Sequence, residues 1–328
     1  MNEMDLLREF RAGRPATDLA AISPARRQLL RAAHGRPSRT LGLPRLRWQL
    51  AVPGVLALVV AAGLLVANLP ASSPRAVPEA VNVLRLAAQT AGNSPDLAPR
   101  PDHFVFVESI DASIDPQRAP DGVHTVYRPD LSDRRIWQSV DGTHDGLLLT
   151  RTRPGSTWVR SPLPGCRNGR MDGIKGDQVF PHAESCTVDT SAVLDNLPTS
   201  TDGMFKYLYS DKNGSRTADQ RAWTKVGDLI RESYARPAVM AAIFSAAARI
   251  PGVSVVHGVT DVAGRPGIAV ALTDLGVREE LIFDPATHAY LGDRGVNAKD
   301  QESGKKGTVV GSSAILRIAI ADKSGVLP

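Results

Sequence analysis

The feature that most constrains this chain is a run of 21 residues, Gln49 to Leu69, that contains no Asp, Glu, Lys or Arg (QLAVPGVLALVVAAGLLVANL). At helical rise such a run crosses the roughly 30 Å of a bilayer's hydrocarbon core. It divides the chain between two solvents. A cleavable secretory signal has a shorter apolar core, about 7 to 15 residues behind a brief charged leader, whereas 48 residues precede this one. The run therefore reads as a retained signal anchor. The small residues of Ala67 to Ser73 leave late cleavage open, and a long buried core helix is the soluble alternative. Trp48, whose indole pairs an apolar face with one N–H, is expected to anchor the span at the headgroup level, with Gln49 and Leu69 as its ends. Pro53 falls in the first turn or so, where a missing N–H costs little.

Charge sets the orientation. Ten arginines before the run face only Glu3, Asp5, Glu9 and Asp18, a balance of +6, and Arg39, Arg45 and Arg47 lie close to the membrane end while Arg75 is the only early one beyond it. Basic residues near a span stay cytoplasmic, so the amino terminus is expected inside and the carboxy-terminal domain outside, at the plasma membrane. The whole chain carries +5, which leaves −1 for the remainder, so the basic pI belongs to the tail and implies no nucleic-acid binding by the large domain.

Four segments follow: a basic cytoplasmic tail over 1–47, a transmembrane helix over 48–70, a linker with a juxtamembrane helix over 71–98, and an extracytoplasmic α+β domain over 99–328. In the tail, Leu6, Leu7 and Phe10 recur at helical spacing, and Ser23-Pro24 is a good helix start ahead of Leu29 and Leu30. Two such short helices cannot bury a stable core alone. Anionic lipid would account for the arginines; the apolar positions Leu6, Leu7, Phe10, Leu29 and Leu30 favour a protein partner.

Beyond the Pro-rich linker a helix is expected over Glu79 to Ala91. His103 to Ile110 sets Phe104, Phe106 and Ser109 loosely against Val105, Val107 and Ile110, a strand with one better-buried face. Extended stretches follow at Val123 to Arg128, Arg135 to Val140 and Gly146 to Thr152, with Asp141-Gly142 as a tight hairpin turn. Helices are expected from a start capped by Thr199 and Asp202, over Thr217 to Ala235 with Trp223, Val226, Leu229 and Ile230 on one face, and over Pro237 to Ile250 with Gly252 as its stop. Strands at Val253 to Val259, Gly267 to Thr273, Val277 to Phe283, Ala289 to Arg294 and Thr308 to Ala321 complete an antiparallel meander. Strands, then helices, then strands predict an α+β domain, a curved antiparallel sheet with helices packed on one face.

Cys166 and Cys186 are the only cysteines and both fall on the outer side. A disulfide is expected, closing a Gly-rich loop over Gly165 to Gly176; free thiols are the alternative, and two cysteines without a CxxC pair form no recognisable zinc or dithiol redox site. The six histidines beyond the span show neither HExxH nor i, i+4 spacing, and no GxSxG, SxxK, Walker or dinucleotide motif occurs. No cofactor and no metal are implied. Asp141, Asp145 and His182 are the residues a hydrolase could use, although Asp-Gly at Asp141 and Asp145 is ordinary turn chemistry.

Four stretches, MDLLREFRA at Met4 to Ala12, RIWQSVDGTHDGLL at Arg135 to Leu148, DLIRESYARPAVMAAIFSAAARIPGV at Asp228 to Val253 and REELIFDPATHAYLG at Arg278 to Gly292, together resemble a family of actinobacterial single-pass membrane proteins of unassigned function, often encoded beside extracytoplasmic-function sigma factors. The resemblance implies a transmembrane regulator or envelope sensor, with the tail near a sigma factor and the large domain outside. The two-compartment architecture without catalytic motifs makes the leading reading non-enzymatic, an outer domain that binds an envelope ligand or partner and a tail that docks on a cytoplasmic regulator. The tail carries no HxxxCxxC pattern, which sets it apart from zinc-binding anti-sigma domains. The expected sheet is also similar to bacterial lipoprotein-carrier half-barrels, which hold acyl chains. That likeness supports an alternative, a membrane-tethered carrier of lipids or lipoproteins, and it predicts an apolar cavity between sheet and helices of about 300 Å³ or more. An extracytoplasmic hydrolase is the third reading.

Overall fold

The computed structural model describes residues 77–118, 125–175, 178–189, 192–212 and 214–328. The span with Trp48, Gln49 and Leu69, and the tail positions Leu6, Leu7, Phe10, Leu29 and Leu30, lie outside these residues. Among the described residues no helix is long and apolar enough to cross a membrane.

Chain order is α1 (Pro78–Gly92), β1 (Phe104–Arg118), β2 (Thr125–Ser139), β3 (Gly146–Thr152), β4 (Val159–Leu163), β5 (Arg170–Lys175), β6 (Gln178–Ser185), α2 (Thr201–Leu208), α3 (Ala218–Arg231), α4 (Pro237–Ala247), β7 (Ser254–Thr260), β8 (Pro266–Asp274), β9 (Val277–Phe283), β10 (Tyr290–Asn297) and β11 (Val309–Ala321). Nine strands form one antiparallel sheet in the order β4-β3-β2-β1-β11-β10-β9-β8-β7, and β5 and β6 form a separate hairpin. The second meander, β7 to β11, thus joins the first through β1 and β11, from Phe104 opposite Ala321 to Ser113 opposite Gly311. The expected class holds: an α+β domain built on a large curved antiparallel sheet.

Helices cover one face. In α1 a proline opens the helix, Glu79 complements the amino-terminal dipole, and Ala80, Val83, Leu84, Ala87 and Ala88 repeat at the spacing of one buried stripe. That stripe packs with Ala222, Trp223, Val226 and Ile230 of α3, with Ile243 and Phe244 of α4, and with Val270, Leu272, Leu281 and Phe283 of β8 and β9. The clusters on the other face, around Phe106 and Trp137 and around Ala269 and Ile282, contain no helical residue.

Several expectations need correction. Both faces of β1 are buried: Val105 and Val107 under Ala192, Val193 and Tyr234, Phe104 and Phe106 against Trp137 and Leu147. The carboxy-terminal residues account for the second face, since the Trp137 indole donates to the Val326 carbonyl at 2.8 Å. The loose alternation has its own cause, a register shift between Glu108 and Ser109 against β11. The stretches expected at Val123 to Arg128 and Arg135 to Val140 give way to one long strand, Thr125–Ser139, in place of two. The cap of α2 is Ser200, whose hydroxyl accepts the Gly203 N–H, rather than Thr199 or Asp202. Helix α3 ends at Arg231 instead of Ala235 because Tyr234 exchanges backbone hydrogen bonds with Ala192 and Leu194, and because Pro237 disfavours helix just before it. Helix α4 is capped at Ala248, short of Gly252. The connection after β2 spans residues 140–145, longer than a two-residue turn. Finally, much of the Gly165 to Gly176 stretch is not loop: it supplies β5 of the hairpin.

Candidate ligand cleft

Between α1, α4 and the β10/β11 region of the sheet lies an apolar cleft of about 360 Å³. Ala87 and Ala91 of α1 form one wall, Met240 and Phe244 of α4 a second, and Tyr290, Ile315 and Ile318 the floor. The ring of Phe244 stands edge-on to Phe283 at 5.4 Å, which fixes the inner end. The size falls within the range of small-molecule pockets, and the lining is mostly apolar.

Two short segments close the rim. Residues 94–97, a strap following α1, line the cleft through Ser94, Pro95 and Leu97; residues 233–237, between α3 and α4, line it through Ser233, Tyr234, Ala235 and Pro237. Polar bonds join the two. The Tyr234 hydroxyl donates to Asp96 Oδ1 at 2.6 Å and accepts the Leu97 N–H at 2.8 Å, while Arg236 Nη1 donates to Asp96 Oδ2 at 2.7 Å. Arg236 also grips Asp195 through Nε at 2.7 Å. Hydrogen bonding, first from Tyr234, holds the Asp96 carboxyl down at about 2, and burial followed by the bond to Asp96 pushes the Tyr234 phenol up to about 12. A further clasp joins the Thr90 hydroxyl to the Thr287 carbonyl at 2.6 Å.

A second cavity, about 510 Å³, adjoins the first along α3 and is charged. Tyr290 and Ile230 face the apolar cleft; Asp293 and Arg231, their neighbours on the same elements, face the charged cavity. Arg231 holds Asp293 in a bidentate pair at 3.1 Å, and the Tyr290 hydroxyl donates to Asp293 Oδ2 at 3.2 Å. This trio is the partition. Burial drives the Tyr290 phenol well above its ordinary value, and the Asp293 carboxylate adds to it. Buried Glu280 is matched by Arg278 at 2.7 Å and Arg294 at 2.6 Å, whereas burial raises the carboxyls of Asp111 and Asp228.

The residues singled out for hydrolase chemistry do not assemble into one centre. Asp141 Oδ1 accepts the Thr143 N–H at 2.9 Å, the Ser139 hydroxyl at 2.9 Å and the Thr143 hydroxyl at 2.8 Å, and contacts His144 Nδ1 at 3.1 Å. Burial opposes that carboxylate's charge, but these bonds prevail and hold it at about 2. Ser139 turns its hydroxyl onto the carboxylate and accepts the His144 backbone N–H, so the histidine does not activate it. Asp145 binds the Gly165 N–H and Arg167. His182 lies on the separate β5–β6 hairpin, where its carbonyl accepts Arg170 and its N–H donates to Asp172.

Cys166 and Cys186 are joined, with Cα atoms 5.9 Å apart, at the base of that hairpin. The Cys166 N–H donates to the Gly142 carbonyl at 2.8 Å, fastening it to the β2–β3 connection. Gly142 has φ +70°, and a Cβ there would fall 2.2 Å from the Asp189 carbonyl oxygen, so the crossing requires glycine.

No local sequence pattern marks Asp96, Tyr234, Arg236 or Tyr290 as site residues. Asp96 falls at the end of the expected linker over 71–98, and the one available signal is Arg236-Pro237, a break in the helical pattern.

No family model and no curated protein matches the chain. Among solved structures it is similar to the MucA/MucB complex of Pseudomonas aeruginosa, with 13% identity over 76% of this chain and 58% of that one at a TM-score of 0.26. MucB alone matches with 13% identity over 77% and 61% at 0.24. A DUF1329 family protein from Desulfovibrio piger matches with 9% identity over 75% and 94% at 0.18. The chain spans about three fifths of the length of the MucB chains it matches. Scores of this size assign nothing to individual residues.

Proposed function

We propose that this chain is a membrane-tethered, non-enzymatic receptor whose extracytoplasmic domain holds an apolar envelope ligand and whose basic tail docks on a cytoplasmic regulator, a sigma factor among the candidates. The observation that carries the reading is the apolar cleft between α1, α4 and the sheet, at about 360 Å³. The absence of a catalytic motif in the sequence and the turn roles of Asp141 and Asp145 support a binding protein over a hydrolase. The uncharged run and its arginine-rich flank support the tether. A tethered carrier of lipids or lipoproteins uses the same cleft, with the tail serving only to orient the chain.

Extraction of the purified full chain, followed by mass spectrometry of the extract, tests the cleft. Wild type is expected to release an apolar molecule that Ala91→Phe, which fills one wall, no longer retains. Equal recovery from both would sink the reading. Photo-crosslinkers placed at Leu7 and Leu30 in cells separate receptor from carrier, because only a receptor yields a cytoplasmic protein adduct.

A further inference from the structure

Beside the cleft, Tyr234, which lines it, and Arg236, which does not, hold the chain's own Asp96 as a receptor holds a carboxylate. A guanidinium and a phenol converge there on the two oxygens of one carboxylate, Arg236 on Oδ2 at 2.7 Å and Tyr234 on Oδ1 at 2.6 Å. Planar, charge-assisted pairing of this kind is the strong form of carboxylate recognition. Asp96 arrives from the strap, an irregular segment, and its side chain is 41% exposed, so it can leave without opening the core. Arg236 would keep its aim, since Asp195 holds Nε at 2.7 Å from the other side. Immediately inside, Leu97, Ala235 and Pro237 begin the apolar lining.

Resting on the reading of the cleft as a ligand site, we propose that its ligand is a single-chain carboxylate amphiphile of the fatty-acid class, which takes the place of Asp96 on Tyr234 and Arg236 while its chain fills the cleft. Asp96 is then an internal competitor that sets the threshold for binding. No covalent step is involved. Displacement frees the strap, and with it the carboxy-terminal end of α1, from the segment between α3 and α4.

The test uses the full chain in phosphatidylcholine nanodiscs with two probes that share one diazirine-bearing twelve-carbon chain, dodecanoate and dodecyltrimethylammonium. Crosslinks are mapped by mass spectrometry to Met240, Phe244 and Tyr290, so that probe dissolved in the bilayer is not counted. Wild type should be labelled there in preference by the carboxylate. Asp96→Ala should lower the dodecanoate concentration for half-labelling about tenfold, the scale of one charge-assisted hydrogen bond, without moving that of the cation. Arg236→Gln should abolish the preference. Misfolding cannot mimic the gain expected of Asp96→Ala, which keeps the proposal open to refutation even if Arg236→Gln destabilises the domain. If Asp96→Ala leaves dodecanoate labelling unchanged, or raises both probes alike, the carboxylate assignment falls and the apolar cleft survives. If neither probe labels the cleft, both fall.

Discussion

The two ends of the sheet are held by different physics. At the β7–β9 end, Phe283 is almost wholly removed from water together with Phe244, Ile243 and Trp223, in a cluster that draws on all four described helices. At the β4 end, the β5–β6 hairpin buries little; all eight residues of β6 are exposed, including Val179 and Phe180. There a disulfide, the Asp141 bonds and the Arg167 bond to Asp145 do the fastening. Where apolar area cannot be hidden, covalent and polar ties take over, and they act over a shorter range.

This comparison can be broken at either end. Phe244→Ala is expected to lower the unfolding free energy by about 3 to 5 kcal/mol through the cavity it leaves, whereas Phe180→Ala should stay within about 0.5 kcal/mol; chemical denaturation measures both. A comparable loss at Phe180 would mean the hairpin is part of the core. Replacing Cys166 and Cys186 together by Ala should remove about 3 kcal/mol of loop-entropy stabilisation, read as lost protection of the hairpin amides in hydrogen exchange, with Val105 and Val107 unaffected. Spread of that loss into β1 would deny the hairpin its independence. Ser200→Ala should cost about 1 kcal/mol by uncapping α2, visible as a shift in thermal midpoint.

The smallest effect is one of pH. The Asp141 carboxyl is lowered in the folded state, from 3.8 to about 2, so its contribution is complete above 3.8 and is lost as pH falls through about 2. In that window the Cys166 amide, bonded to Gly142, should gain exchange relative to amides of α4. Uniform loosening of both would contradict the division.

Which parts of this architecture were legible follows from how local their causes are. The strand Val277–Phe283 was read with its observed bounds, because turn residues bracket it on both sides, and the start of α3 was read to within one residue, Thr217 being the cap whose hydroxyl accepts the Gln220 N–H. Strand β5, inside Gly165 to Gly176, was missed since the glycines there hide the alternation that marks a strand. The buried second face of β1 was missed for a different reason: the cover comes from Val326, far away in sequence. A cleft of this kind was foreseen only as a consequence of the carrier alternative, at about 300 Å³ or more. Its rim was not, because Asp96 and Arg236 meet across 140 residues and neither has a local pattern that announces the other.

The junction of β1 with β11 has a consequence in time. Phe104 meets Ala321, so the middle of the sheet forms between the first and last strands of the domain, and such distant pairings close slowly. Until β11 emerges, β1 can pair with β2 but shows its other edge, with Val105 and Val107 along it, to whatever is near. That edge stays open until β11, the last strand in chain order, has been made.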